Sequence, residues 1–435
     1  MTSVTLLKKL NLNKKVYSNI GWLFFEKLFK MVLNFFVFAI IARYLGPENF
    51  GVLNFAIAFV FILTSLLDLG LSGLVVKEMV KNNKNTNLIL GTTFYLKSLA
   101  SVLGFLVLIV SLYFLETKEI MLVTLLVGIS LLFKPLEVID LYNQANIISK
   151  YTVFARNIAL LLVSIIQLSL IFINAPLYYF AIAQTLEIIL TVFLLLFYYK
   201  KSSVSMKWKF DIRIGLNLLK RSWPLIFSGI AAVLYLKVDQ LMLQKMVGAK
   251  ELGIYSAAAR VSEVWYFIPN AIIASIFPQL VLLREDREKY NKKLQKLFDL
   301  MFILGLSLSV IVTIISPHII RLLFGVEYLR SADILIIHIW ASVFVFMRAL
   351  LSKWLIIEEL LIFSLLSHGL GVIVNVVLNT ILIPNYGGMG AAFATVIAYS
   401  FSTFIFCFLS KNTMNVGFMM SKAFFTPVRY IFKMK

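Results

Sequence analysis

Apolar stretches of more than twenty residues follow one another along nearly the whole chain. Each is long enough to cross a bilayer as a helix, which takes about 20 mostly apolar residues. Twelve can be separated, at about 18–43, 50–76, 88–114, 120–141, 153–174, 178–199, 221–247, 252–282, 297–322, 332–356, 360–383 and 388–410. A soluble fold has nowhere to bury that much hydrocarbon: 61% of the 435 residues are hydrophobic and 14% charged. The chain is therefore expected to be an all-α polytopic membrane protein of twelve transmembrane helices. Its basic start (Lys8, Lys9, Lys14, Lys15) precedes an apolar run too long for a signal-peptide core and lacking a small-residue cleavage site. That run reads as an uncleaved first span. A single cysteine, Cys407, excludes an intramolecular disulfide and a cysteine-cluster zinc site.

A net charge of +20 suggests nucleic acid only until its distribution is considered. Seven basic residues lie between Lys200 and Arg221 and six between Arg284 and Lys296, both connections after even-numbered spans. The connections on the opposite side carry Arg43, Lys118, Lys245, Lys250, Arg321 and Arg330. Basic loops stay in the cytoplasm, so both termini are expected there. The segment REDREKYNKKLQK, 284–296, reads as an amphipathic helix on the membrane surface, and 411–435 as a basic interfacial tail. The outer connections, such as Asn174-Ala175-Pro176, are too short to fold as a domain.

The chain also repeats at half length. Gly46-Pro47-Glu48-Asn49-Phe50-Gly51 aligns with Gly248-Ala249-Lys250-Glu251-Leu252-Gly253 at an offset of 202, and Asn174 and Ala183 align with Asn385 and Ala394 at an offset of 211. Two six-helix lobes, 1–200 and 201–410, are therefore expected as parallel repeats.

Chemistry must come from polar residues placed where hydrocarbon penalises them, at no less than ~2.5–3.5 kcal/mol for an ionisable group. These are Glu26, Lys27, Lys30, Asp68, Lys97, Lys134, Glu137, Asp140, Glu187, Lys237, Asp239, Arg260, Glu263 and Arg348. Glu26, Lys30, Lys134, Glu137 and Asp140 lie near span ends, where long side chains snorkel. In the hairpin 222–279, with its turn centred between Ala249 and Lys250, Asp239 and Arg260 are equally far from the tip and are expected to pair. Lys237, about 200° around the helix from Asp239, is left as a cation facing a wet cavity. The alternative is one helix-locking network of Lys237, Asp239, Arg260 and Glu263. His318, His338 and His368 are too scattered to suggest a site, and no phosphate loop, HExxH or nucleophile pattern is present. No cofactor is implied.

The hairpin carries a resemblance as well. Ser222-Trp223-Pro224, then VDQLML, GAKELGIYSAAARVSE, IPNAI and FPQL, resembles the seventh and eighth helices of Wzx-type polysaccharide flippases. These belong to the multidrug/oligosaccharidyl-lipid/polysaccharide exporter superfamily. ELGIYSAAARV is the most specific piece, and a weaker likeness extends from about Tyr17 to Ser410. The resemblance implies a two-lobed fold that moves undecaprenyl-diphosphate-linked oligosaccharide across the bacterial inner membrane by alternating access. It further implies polysaccharide polymerase and assembly proteins as partners. Lys27, Lys97, Lys237, Arg260 and Arg348 then suit the diphosphate. Tyr235, Tyr255, Trp265, Tyr266 and Trp340 suit sugar faces, and Glu187, Asp68 or Glu263 a coupling cation. Ending at twelve spans separates the chain from the fourteen-span lipid II flippases.

Two other readings have specific requirements. A lipid-linked-sugar polymerase or ligase needs a large outer loop, and none is present here. A cation-coupled small-molecule antiporter of the same superfamily needs a cavity leaning acidic, whereas the deep charges lean basic.

Overall fold

The computed structural model describes residues 3–81, 85–114, 117–201 and 208–426, and among these every regular element is helical. The chain divides into two compact units. Residues 1–44 and 55–230 form the first; 45–54 and 231–435 form the second. The helices are α1 (Ser3–Leu67), α2 (Ser72–Lys81), α3 (Thr86–Leu112), α4 (Lys118–Gly128), α5 (Val138–Ala145), α6 (Lys150–Phe172), α7 (Leu177–Lys201) and α8 (Ile212–Met246). They continue as α9 (Ala249–Glu263), α10 (Phe267–Leu283), α11 (Arg287–Phe324), α12 (Arg330–His338), α13 (Ala341–Ile357), α14 (Leu361–Thr403) and α15 (Lys411–Phe424).

Among the described residues, ten stretches are long and apolar enough to cross a membrane. Two are far longer than one crossing: Phe24–Lys81, 58 residues, and Ile362–Leu409, 48 residues. At 1.5 Å per residue the first would measure roughly 87 Å against a hydrocarbon core of about 30 Å. Each contains a glycine with non-helical backbone, Gly46 (φ 70°, ψ 168°) and Gly387 (φ 57°, ψ −132°). Divided at these glycines, the ten stretches become twelve segments.

Several expected spans are interrupted. The second breaks between Leu67 and Ser72, where Leu69 (φ 52°) and Gly70 (φ 61°) take left-handed backbone. A Cβ on Gly70 would lie 2.9 Å from the Ser222 carbonyl oxygen and 2.9 Å from the Ile226 nitrogen, so α8 presses directly on the break. The fourth contains a 3₁₀ stretch, Ile129–Glu137, with Pro135 inside it. Proline removes a helical donor and clashes with the preceding turn.

In the first unit Leu71, Val75, Met79, Leu90, Val138 and Leu218 share one buried cluster from α2, α3, α5 and α8. The approach to α8 is tied down too: Lys209 N donates to Asn87 O (3.4 Å) and Asp211 N to Thr92 Oγ1 (3.1 Å). Residues 208–230 therefore pack with the first unit.

In the second unit α10, α11, α13 and α15 enclose a core containing Leu280, Phe298, Met301, Phe346, Leu350 and Met420. This core corrects one expectation. Segment 284–296 is not a separate surface helix. From Arg287 it forms the opening turns of the 38-residue α11, with Asp286 capping Lys289 N and Tyr290, Leu294 and Leu297 buried. The donor hydrogen bonds of Lys289 also hold the Asp286 carboxyl below its usual range. The helix α15 buries one stripe, Val416, Met419, Met420 and Ala423, in the same core. Residues 427–435 of the expected tail, with Pro427 and Arg429, lie outside the described residues, as do 202–207 of the basic connection.

The second unit also contains a reciprocal contact between the two glycine motifs. A Cβ on Gly51 would lie 1.8 Å from the Ala249 carbonyl oxygen, and one on Gly253 would lie 1.8 Å from the Pro47 carbonyl oxygen. Pro47 corresponds to Ala249, and Gly51 to Gly253, at the offset of 202. Gly46 and Gly248 precede the two segments with similar backbone, φ 70°, ψ 168° and φ 113°, ψ 177°. Helices approach this closely in lipid where a small residue lets backbone meet backbone. We expect Gly51→Ala and Gly253→Ala each to cost about 1–3 kcal/mol, as overpacking does. Gly73→Ala, with nothing within 4 Å of its Cβ position, should be neutral. Thermal unfolding of the purified variants in detergent measures the difference.

Candidate functional site

Polar groups inside the apolar helices gather in each unit separately. In the first unit, Asp68 closes α1 and accepts hydrogen bonds from Lys97 Nζ (2.7 Å) and from Ser72 Oγ (2.5 Å); Lys97 Nζ also reaches Ser72 Oγ (3.4 Å). One expected cation and one expected coupling carboxylate thus meet at the break between α1 and α2. Elsewhere in the same unit, Arg156 donates to Asp140 (3.0 Å) and pairs with Glu26 (3.5 Å), while Lys134 pairs with Glu137 (3.3 Å). Glu187 lies 3.8 Å from Lys30. Lys27 is exposed, with no carboxylate within 4 Å among the described residues.

In the second unit, the Asp239 carboxylate is buried and accepts from the Tyr255 hydroxyl in a short hydrogen bond, and from Gln240 N (2.8 Å). Helix geometry explains the partner. Since α8 ends at Met246 and α9 begins at Ala249, the tip is centred on Val247–Gly248, about two residues before the expected point. Counting back from that tip puts Tyr255 and Ser256 level with Asp239. The Tyr255 ring also meets the His338 ring edge-on at 5.8 Å. His338 is buried, and its Nδ1 has no hydrogen-bond partner among the described residues. Lys237 is half-buried with no carboxylate within 4 Å among the described residues, and Arg260 and Glu263 are half-buried three residues apart on α9.

Arg348 is 8% exposed and makes only neutral hydrogen bonds among the described residues: to Ser402 O (2.8 Å) and to Ser367 Oγ (2.8 Å). It therefore ties α13 to α14 at two points. Tyr235 adds a third link to that region, its hydroxyl 2.7 Å from Ser402 Oγ. Trp265, Tyr266 and Trp340 are only partly covered or exposed.

Three features escaped the sequence reading. Arg156 was countable in the fifth span, but its partner Glu26 is 130 residues away. Asn375 and Asn379, both buried and joined by a 2.8 Å hydrogen bond, stand four apart in an apolar run, which is the available signal. Glu251 is 7% exposed; it accepts from Gly388 N (2.8 Å) and pairs with Arg330 (3.1 Å), beside a recess of about 430 Å³ lined also by Asn385 and Tyr386. No group of three His, Cys, Asp or Glu side chains suited to a metal occurs among the described residues.

Residues 16–283 match the sequence profile of a family described as "Polysaccharide biosynthesis protein". A putative O-antigen transporter of Shigella flexneri is 25% identical over 321 residues, covering 68% of this chain and 73% of that protein. The capsular polysaccharide biosynthesis protein CapF of Staphylococcus aureus is 26% identical over 187 residues, 40% of this chain and 45% of CapF, so the match spans under half of that relative. Among solved structures, the lipid II flippase MurJ in an inward closed conformation superposes with a TM-score of 0.74 at 17% identity, covering 94% of this chain and 92% of MurJ. That likeness establishes the fold.

The Asp239–Tyr255 contact has a direct check. Tyr255→Phe leaves a buried carboxylate short of a donor, which costs about 1–3 kcal/mol. Combined with Asp239→Asn, the loss should be smaller than the sum of the two single losses, as coupled neighbours require. Thermal unfolding of the three variants in detergent gives the coupling.

Proposed function

Because the chain belongs to the polysaccharide biosynthesis protein family, we propose that it is a flippase carrying undecaprenyl-diphosphate-linked oligosaccharides from the cytoplasmic to the outer leaflet. The observation that carries this reading is the set of cationic side chains held within helices apolar enough to cross a membrane, with Lys97 and Lys237 foremost. A diphosphate has no neutral form near pH 7. Its passage therefore requires positive groups that replace water, at sites where an uncompensated charge is expensive. Lys27, Lys97, Lys237 and Arg260 serve the diphosphate. Arg348, held by Ser402 and Ser367, acts by positioning α14. Trp265, Tyr266 and Trp340 offer ring faces to sugars, whereas Tyr235 and Tyr255, expected in that role, are buried and spend their hydroxyls on Ser402 and Asp239.

The protein works in a bacterial inner membrane with both termini in the cytoplasm, as the basic loops favour. Its halves, 1–200 and 201–410, act as parallel repeats that expose their polar groups alternately to the two leaflets, with 411–435 at the cytoplasmic side. The reciprocal Gly51 and Gly253 contacts support that repeat. Flipping makes and breaks no covalent bond, so the protein acts as a transporter and not as an enzyme. A negative-inside potential drives an anion outward by about 2.3 kcal/mol per charge per 100 mV. Asp68, Glu187 or Glu263 takes the counter-cation. Polymerase and assembly proteins receive the product outside.

Cells lacking the gene and complemented with Lys97→Ala or Lys237→Ala should lose surface glycan at least about tenfold, the worth of one charge-assisted contact. Membrane protein levels must match the wild type. In the same cells, a C-terminal reporter active only outside should be silent. Normal glycan export by both variants would overturn the cationic mechanism.

A further inference from the structure

Lys97 and Asp68 were expected in different roles, one for substrate and one for a coupling cation, yet the structure joins them at 2.7 Å. Their surroundings are asymmetric. Lys97 lies on the continuous helix α3 with its side chain 11% exposed, while Asp68 stands at the α1–α2 break with its side chain 42% exposed. A pair whose only task is to lock two helices needs neither an open carboxylate nor a helix interrupted beside it. Here the carboxylate is the more exposed partner, and the ammonium is bonded to that carboxylate and to Ser72.

The position along the helix adds a direction. Asp68 is 22 residues beyond Gly46, roughly 33 Å of helical rise. In the proposed orientation this places the pair toward the cytoplasmic side, where a diphosphate headgroup arrives. Glu78 pairs with Arg221 at 2.7 Å, so α2 is tied to α8 by a second ion pair below the break. The Asp68–Lys97 contact can therefore open without releasing α2 from the unit.

Resting on the flippase reading, we propose that Lys97 is the loading contact for the diphosphate and that Asp68 is its placeholder. An incoming phosphoryl oxygen replaces the Asp68 carboxylate on Lys97 Nζ. Asp68 keeps its hydrogen bond from Ser72 and, now lacking a cationic partner, takes a counter-cation. Anion entry and cation entry are thereby linked at one ion pair. Charge is conserved throughout: the ammonium is neutralised before and after the exchange, by carboxylate first and by phosphate second. Ser72 matters because its hydroxyl donates to the Asp68 carboxylate and keeps one hydrogen bond on it when Lys97 turns to phosphate.

The test uses the purified full-length protein in detergent, with farnesyl diphosphate as the probe. Wild type should bind it, and Lys97→Met should weaken binding about tenfold or more, as loss of a charge-assisted hydrogen bond does. Asp68→Asn removes the competing anion and should tighten binding by up to about fivefold, the worth of a partly exposed ion pair. The double variant should match Lys97→Met. A second measurement needs no substitution: labelling of the Asp68 carboxylate by a water-soluble carbodiimide, followed by mass spectrometry, should rise when the probe is added. Binding that is unchanged or weaker in a folded Asp68→Asn protein overturns the exchange, as does Asp68 labelling that stays level or falls. If wild type binds and ignores both substitutions, the inference fails alone. If wild type does not bind the probe at all, the diphosphate reading falls with it.

Discussion

Hydrocarbon offers no hydrogen bonds, so every charge carried into the bilayer must be matched from within the protein. This constraint organises the described polar groups more tightly than any sequence motif does. Arg156 is shared by Glu26 and Asp140, Lys134 meets Glu137, and Lys97 meets Asp68. Arg348 takes a different course, spending its donors on a main-chain carbonyl and a serine. Such an arrangement holds helices together but leaves the positive charge without an anionic partner among the described residues. The Lys97–Asp68 pair, with its carboxylate exposed, and the half-buried Lys237 are the charged groups for which function offers a reason.

A second constraint is backbone proximity. Helices that cannot rely on the hydrophobic effect to associate in lipid depend on close packing, and glycine permits the closest. The contacts of Gly51 with Ala249 and of Gly253 with Pro47 leave no space for a methyl group. Gly70 against α8 does the same for the first unit, and there the cost is a broken helix. That break leaves the Asp68 carboxylate open beside Lys97. The geometry of the proposed loading contact therefore follows from a packing event one residue pair away.

Much of this was legible in the sequence, because hydrophobic length and charge position are properties of single segments. The apolar stretches, the glycine motifs at matched offset and the unusual depth of Lys97, Asp68, Asp239 and Arg348 could all be read directly. What could not be read depended on partners distant in the chain. The break at 68–71 looks continuous because Leu69, Gly70 and Leu71 are apolar, and the backbone that closes on Gly70 belongs to α8, about 150 residues on. The partner of Asp239 shifted because the turn closes at Val247–Gly248, and two residues of register change which side chain lies level with it. The surface helix expected at 284–296 merged into α11 because its Tyr290, Leu294 and Leu297 stripe continues the periodicity of the apolar run behind it.

The central claim is that this protein moves a lipid diphosphate carrying a glycan from one leaflet to the other by offering it buried cations. Vesicles reconstituted with the protein and with a fluorescently labelled undecaprenyl-diphosphate oligosaccharide test this most directly. Label initially in the inner leaflet should become accessible to an impermeant quencher much faster than in protein-free vesicles, with Lys97→Met abolishing the gain. Quenching no faster than in protein-free vesicles, from protein shown to be folded and inserted, would contradict the account.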